Sequence, residues 1–264
     1  MSAGFSHITT ASPTNGRGKR NRDHFMDHRQ TTTTLQEIYR LFDGYLSSLA
    51  PGSIACRKTC ADCCTANVTM TRLEGLLIRN SVDREQITAK LPDIYSTPFL
   101  RYRPALSTNG YVLACKSGDD GDLESFAEEQ YPEGAPSVCP FLENNLCTIY
   151  SVRPFGCRCM LSTRPCAQTG CADIDELTLT VSTVFLQFIE HIDKDGFFGN
   201  MTDVLYALSA DQTNAFSRRG VIANHPIPAL MVPPEHRGRM QDIVFSLNRL
   251  LAGQPPAPQA SASP

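Results

Sequence analysis

Four cysteines stand within nine residues, in the run Cys56-Arg-Lys-Thr-Cys60-Ala-Asp-Cys63-Cys64. A second group follows after 74 residues: Cys139-Pro-Phe-Leu, then Cys147 and Cys157, with Cys159 just beyond. No other feature limits the fold as strongly, because the chain must bring the two groups together for them to act as one. If Ser53 caps a helix, Cys56, Cys60, Cys63 and Cys64 fall at i, i+4, i+7 and i+8, and at ~100° per residue they share an arc of about 100°. A loop wrapping a metal uses the same spacing equally well. Either geometry converges thiolates, and converging thiolates need a cation to be stable together. Cys63 and Cys64 are adjacent and can hardly bind one ion without strain, which frees one of them for a second metal or a separate role. In the second group Pro140, Asn144-Asn145, Pro154 and Gly156 are turn formers, and turns aim thiols inward without a large core.

The competing use of cysteine is the disulfide. A chain of 264 residues, 41% hydrophobic, makes one large domain or two small ones. At this size it buries roughly 75% of its unfolded surface and needs no covalent staples. Its 11 cysteines are an odd number, and make up only about 4% of the chain, below the ~8–10% of a disulfide scaffold. The first residues lack the apolar core of ~7–15 residues found in a secretory signal. Nothing approaches the ~18 consecutive apolar residues of a membrane span. The expectation is a cytoplasmic protein without a membrane partner, whose thiols hold metal. A net charge of −3 argues against a nucleic-acid surface over the whole chain. The basic stretch Arg17–Arg22 reads as a solvated tail.

Residues 1–33 are rich in Ser, Thr, Asn and Gly and read as a disordered tail, as does the Pro/Ala/Ser segment 253–264. Between them the periodicity is helical. Leu35, Ile38, Phe42, Tyr45 and Leu49 form a first stripe, ending before Pro51-Gly52. Shorter helices are expected over Thr71–Ile78 and Arg84–Tyr95, and 102–137 reads as irregular and partly extended. After Asp173 come three further stripes, Leu177 to Ile192, Met201 to Leu208, and Met240 to Leu251. No alternation is strong enough for an extended sheet. The expected fold is therefore mainly α: a small irregular cysteine-rich metal-binding core packed with amphipathic helices. The metal-binding domain is expected over 34–172, with a C-terminal helical region over 173–252 packed on it.

The string C-x3-C-x2-C-C, then C-P-F-L, then C-x-I-Y-x-x-R-P-x-x-C-R, resembles the YkgJ-type cysteine-cluster family, a zinc- or iron-chelating domain that includes flagellin lysine N-methylases. The likeness spans Cys56 to Arg158 and both motifs are complete. It implies that Cys56, Cys60, Cys63, Cys64, Cys139, Cys147 and Cys157 are metal ligands. It also implies, for one branch of longer chains, S-adenosylmethionine-dependent methylation of a protein lysine. Cys56, Cys60 and Cys63 are similar in spacing to the triad of radical S-adenosylmethionine enzymes. Here, however, Asp62 stands where those have an aromatic, no Gly-Gly-Glu follows, and the helices do not supply a barrel. A cluster binding the same cofactor on another fold stays open.

The metal itself is left between iron–sulfur, the preferred reading because the thiols outnumber one closed four-ligand site, and zinc. Cys159 is open as an eighth ligand, and Cys115, Cys166 and Cys171 read as free or structural. A dication bound by four thiolates carries a net negative charge, so Arg153 and Arg158 are expected beside the thiols; Arg57 and Lys58 carry no assignment. Tyr150 reads as core, His191 and His225 as structural, and Asp119–Asp122 with Glu128-Glu129 as solvated loop charge. Three functions follow: a metal-binding protein, a lysine N-methylase, or a structural zinc protein whose C-terminal helices bind a partner.

Overall fold

The structure, a computed structural model, describes residues 28–91, 99–118, 134–209 and 220–256. The basic stretch at 17–22, the acidic positions at 119–122 and 128–129, and residues 257–264 of the expected C-terminal tail lie outside them. So do residues 1–27 of the expected N-terminal tail.

Three long amphipathic helices pack on one another: α1 (His28–Ser48), α7 (Glu176–Ile192) and α9 (Arg237–Leu251). Each buries a stripe with spacings of three and four, including Leu35, Ile38 and Phe42 from α1, Val181, Val184, Phe185 and Phe188 from α7, and Met240, Leu247 and Leu250 from α9. Phe42, Phe155 and Phe185 meet at the centre with ring centroids 4.7 to 5.7 Å apart. This core draws on both sides of residue 173.

Helix α1 starts at His28, and the expected tail of 33 residues is too long at its end. Thr31 and Thr34 are poor helix formers by rank, yet both are buried, and the Thr34 hydroxyl donates to the Gln30 carbonyl. Tertiary burial overrides propensity there.

A second core lies beside the first. Strand β1 (Thr69–Thr71) runs into α2 (Arg72–Ser81), followed by α3 (Arg84–Lys90). Strand β4 (Phe197–Asn200) runs into α8 (Met201–Ser209). Strands β1, β4 and β5 (Val221–Ala223) form an antiparallel sheet in the order β1-β4-β5, with Met70 opposite Gly199 and Phe198 opposite Ile222. Strands of three or four residues are too short for an alternation to register, which is why this small sheet is a departure from the expected pattern. Val68, Met70, Ile78, Phe141, Ile149, Met201 and Val204 pack under it.

The segment read as irregular, 102–137, contains helix α4 (Thr108–Ser117). Ser107 caps it by accepting from the Gly110 N–H. Asn109 donates to the Gln187 and His225 carbonyls, and its own N–H donates to Glu190, which docks α4 on α7. His191 and His225 serve the same joint, His191 Nδ1 accepting from the Ile227 N–H and the His225 N–H donating to Glu190. Helix α3 covers most of the expected 84–95 helix; residues 92–95 lie outside the described chain. Among the described residues no helix is long and apolar enough to cross a membrane.

Buried Asp203 on α8 accepts from Arg101 and Arg103, at 2.8 and 2.9 Å for the closest contacts. Burial pushes its carboxyl up, but the hydrogen bonds and positive charge of the two guanidinium groups outweigh that and hold it below the ordinary range. The pair therefore contributes stability that is complete above the unfolded carboxyl's value of about 4 and lost as pH falls through the lower folded value. Arg101 is 8% exposed, so Asp203→Ala removes a counter-charge from a desolvated guanidinium and is expected to cost about 3–5 kcal/mol in urea unfolding at pH 7.

Candidate metal centre

The first cysteine run is a loop, not a helix. After Gly52, whose φ of +81° turns the chain, the backbone makes successive tight turns. Cys60 N–H donates to the Arg57 carbonyl and Cys64 N–H to the Ala61 carbonyl, both at 2.9 Å. The loop is pinned at both ends: Ala55 N–H donates to the Ser162 carbonyl, and Ala66 N–H to the Ser137 carbonyl. These partners come from distant segments, so the run is shaped by tertiary pairing that a helix would forbid.

The second group is carried by turns. Cys139 N–H donates to the Cys64 carbonyl at 3.0 Å, which fastens the two groups to each other directly. A hairpin of β2 (Leu142–Glu143) and β3 (Leu146–Cys147) follows, with Cys147 opposite Leu142. Its two turn residues, Asn144 and Asn145, have φ of 50° and 60°, the left-handed pair of a type I′ turn. A 3-10 turn (Tyr150–Val152) and Pro154 then lead into the single helical turn α5 (Phe155–Arg158), which presents Cys157. Gly156 is required there, because a Cβ would stand 2.7 Å from the Thr69 carbonyl oxygen of β1.

The anchor of that turn is Glu74. Its fully buried carboxylate accepts from the Phe155 N–H, the Tyr39 hydroxyl, and both the N–H and the hydroxyl of Thr71. One side chain thus ties α1, the start of α2 and the Cys157 turn together. Thr71-x-x-Glu74 is a capping box and could have been read from the sequence. Its long-range bonds could not.

The result is one cavity of about 70 Å³ lined by Cys56, Cys60, Cys63, Cys64, Cys139, Cys147 and Cys157. Val68, Ile149 and Met201 give it an apolar floor, and Arg57, Lys58, Tyr150 and Arg153 complete the wall. None of the chain's 11 cysteines is in a disulfide. Among the described residues, however, no three Cys, His, Asp or Glu side chains are gathered tightly enough to hold a metal ion. The thiols share a chamber without clasping its centre. An all-sulfur donor set with cationic neighbours fits zinc or an iron–sulfur cluster and does not fit a hard oxygen-seeking cation.

Burial pushes the thiols of Cys56, Cys63, Cys64, Cys139 and Cys157 above the ordinary value of 9.0, and negative charge on neighbouring cysteines adds to it; Cys63 reaches about 11. Arg153 pulls Cys56, Cys64 and Cys157 back. Its guanidinium lies 4.1 Å over the Tyr150 ring, and its buried Nε has no hydrogen-bond partner. Arg158, expected beside the thiols, faces the other way. It bonds the Arg153 and Ser151 carbonyls and Asp43, and stacks 4.3 Å over Tyr39, because its place on α5 points it at α1. Tyr150 is not core either: it stands in the cavity wall, with Lys58 Nζ 5.5 Å from its ring centroid.

Cys159 does not line the cavity. It packs against the helical core, its thiol donates to the Gly156 carbonyl, and burial pushes it up to about 12. Cys115 and Cys171 are exposed. No family model, characterised protein or solved structure matches this chain, so the likeness to the cysteine-cluster family rests on the motifs alone.

Proposed function

We propose that this protein is a metal-binding protein that holds zinc or an iron–sulfur cluster, the latter preferred, through the thiolates of Cys56, Cys60, Cys63, Cys64, Cys139, Cys147 and Cys157. One observation carries the reading: seven cysteines from two stretches of chain far apart in sequence line a single chamber. Cysteines placed without a shared role would be scattered, as Cys115, Cys159 and Cys171 are, outside the chamber. The unpartnered Nε of Arg153 is a second support, since a buried cationic donor needs an acceptor and a metal-bound thiolate sulfur would supply one. Binding would draw the thiols inward on their turns. Zinc would lock the loops together, and an iron–sulfur cluster would add one-electron chemistry.

The test is iron, acid-labile sulfide and zinc analysis of the full chain purified without oxygen. The expected result is stoichiometric metal, reduced in a Cys64→Ser, Cys147→Ser double variant. A brown, oxygen-sensitive preparation selects the cluster, and a colourless one selects zinc. Sub-stoichiometric metal that the double variant does not change overturns the proposal.

A further inference from the structure

The chamber's thiols fall into two sets. Cys64, Cys139, Cys147 and Cys157 all pack into the second core, and the first three are also tied by backbone: Cys139 to Cys64 directly, Leu142 to Cys139 by an N–H donated at 3.0 Å, and Cys147 to Leu142 by strand register. Cys56, Cys60 and Cys63 precede Cys64 on the first loop, stay outside that core, and form a set of three. Adjacent Cys63 and Cys64 thus point their chemistry to different sets, which relieves the strain of binding one ion through neighbours.

The set of three has a neighbour that neither motif contains. Ser162 receives the Ala55 N–H at 2.8 Å, and this bond draws the 160s segment against the first loop. The Ser162 hydroxyl accepts from Asp173 N–H and donates to the Arg164 carbonyl, and Arg164 pairs with Asp173, closing a small loop of chain. On that loop, at the start of α6 (Cys166–Thr169), sits Cys166. A second cavity opens between the loops and is lined by Cys56, Cys60 and Cys166 together.

We infer that Cys166 is the fourth thiol of a separate centre with Cys56, Cys60 and Cys63, so that the chain carries two four-thiolate metal sites side by side. The inference rests on the metal-binding reading above and adds to it the number of sites, their division and a ligand. It leaves Cys159, Cys115 and Cys171 outside both.

Cobalt(II) titration of the reduced full-length chain tests it, because cobalt bound by thiolates shows sulfur-to-metal charge-transfer absorption whatever the native metal. Two equivalents are expected to bind. Cys166→Ser and Cys56→Ser should each weaken the same equivalent by at least about a hundredfold, and their combination should weaken it no further in kind. Cys147→Ser should weaken the other equivalent, and Cys171→Ser neither. Circular dichroism of the metal-free variants should match that of the parent. Saturation at one equivalent, or two equivalents with unchanged absorption in Cys166→Ser, overturns the two-site inference and leaves the metal-binding reading standing. No cobalt bound by the parent chain overturns both.

Discussion

Glu74→Ala is expected to remove about 3–5 kcal/mol of stability, since it orphans several buried donors that cost about 1–3 kcal/mol each. The Phe155 N–H, the Thr71 N–H and the Tyr39 hydroxyl all lose their acceptor in a site that water does not reach. Glu74→Gln is milder but not silent. Its single carbonyl oxygen can serve Phe155 and Tyr39, whereas its amide nitrogen then faces the Thr71 N–H, donor against donor. Burial raises the Glu74 carboxyl, and the bonds from Phe155, Thr71 and Tyr39 only partly restrain it. Its ionisation therefore works against folding: stability is highest below the unfolded carboxyl's value of about 4.3 and falls as pH rises through the higher folded value. Urea unfolding followed by circular dichroism checks both variants. Loss below about 1 kcal/mol in Glu74→Ala would mean that the network is slack. A metal readout should move with it, because Phe155 is two residues from Cys157.

Metal uptake by the reduced chain is expected to release close to one proton per thiol bound. Cys63, with its thiol near 11, and Cys157, pushed well above 9.0, hold their protons at pH 7 without metal. Each must surrender its proton to bind, so affinity rises with pH, by up to about ten-thousandfold per unit for a four-thiolate site. A site of histidines would level off above about 6.5, and one of carboxylates sooner. Proton release into weakly buffered indicator solution during zinc titration measures the number directly. Fewer than two protons per metal would argue against a four-thiolate site. The same raised values set the alkaline limit of the metal-free chain. Stability present below the ordinary thiol value of 9.0 is lost as pH climbs toward about 11 for Cys63, because the unfolded chain ionises first. Bound metal, by holding the thiolates, should abolish that loss.

The helices α1, α7 and α9 were legible because each buries a long stripe, and long stripes leave a clear period. The seven cavity cysteines were legible by spacing, although the spacing could not decide between helix and loop. That decision lay in Ser137 and Ser162, whose carbonyls take N–H groups from either end of the first run. Helix α4 was hidden because its docking depends on Asn109 and its cap on Ser107, polar residues in a segment rich in turn formers. The strands were hidden by their length. Arg158 was misassigned because sequence proximity to Cys157 says nothing about direction: one helical turn sends its side chain to Tyr39 and Asp43. Cys166 belongs to no motif, and only the Ala55 to Ser162 bond brings it near Cys56.

Val152, midway between Cys147 and Cys157, packs against both hydrophobic cores. The strip of chain that offers thiols to the chamber is thus also the mortar between the two halves of the molecule. Melting cannot run along that seam without breaking the chamber, nor can the chamber loosen without parting the halves. Cooperativity between the two cores is in this sense written into the nine residues that separate two of the cysteines.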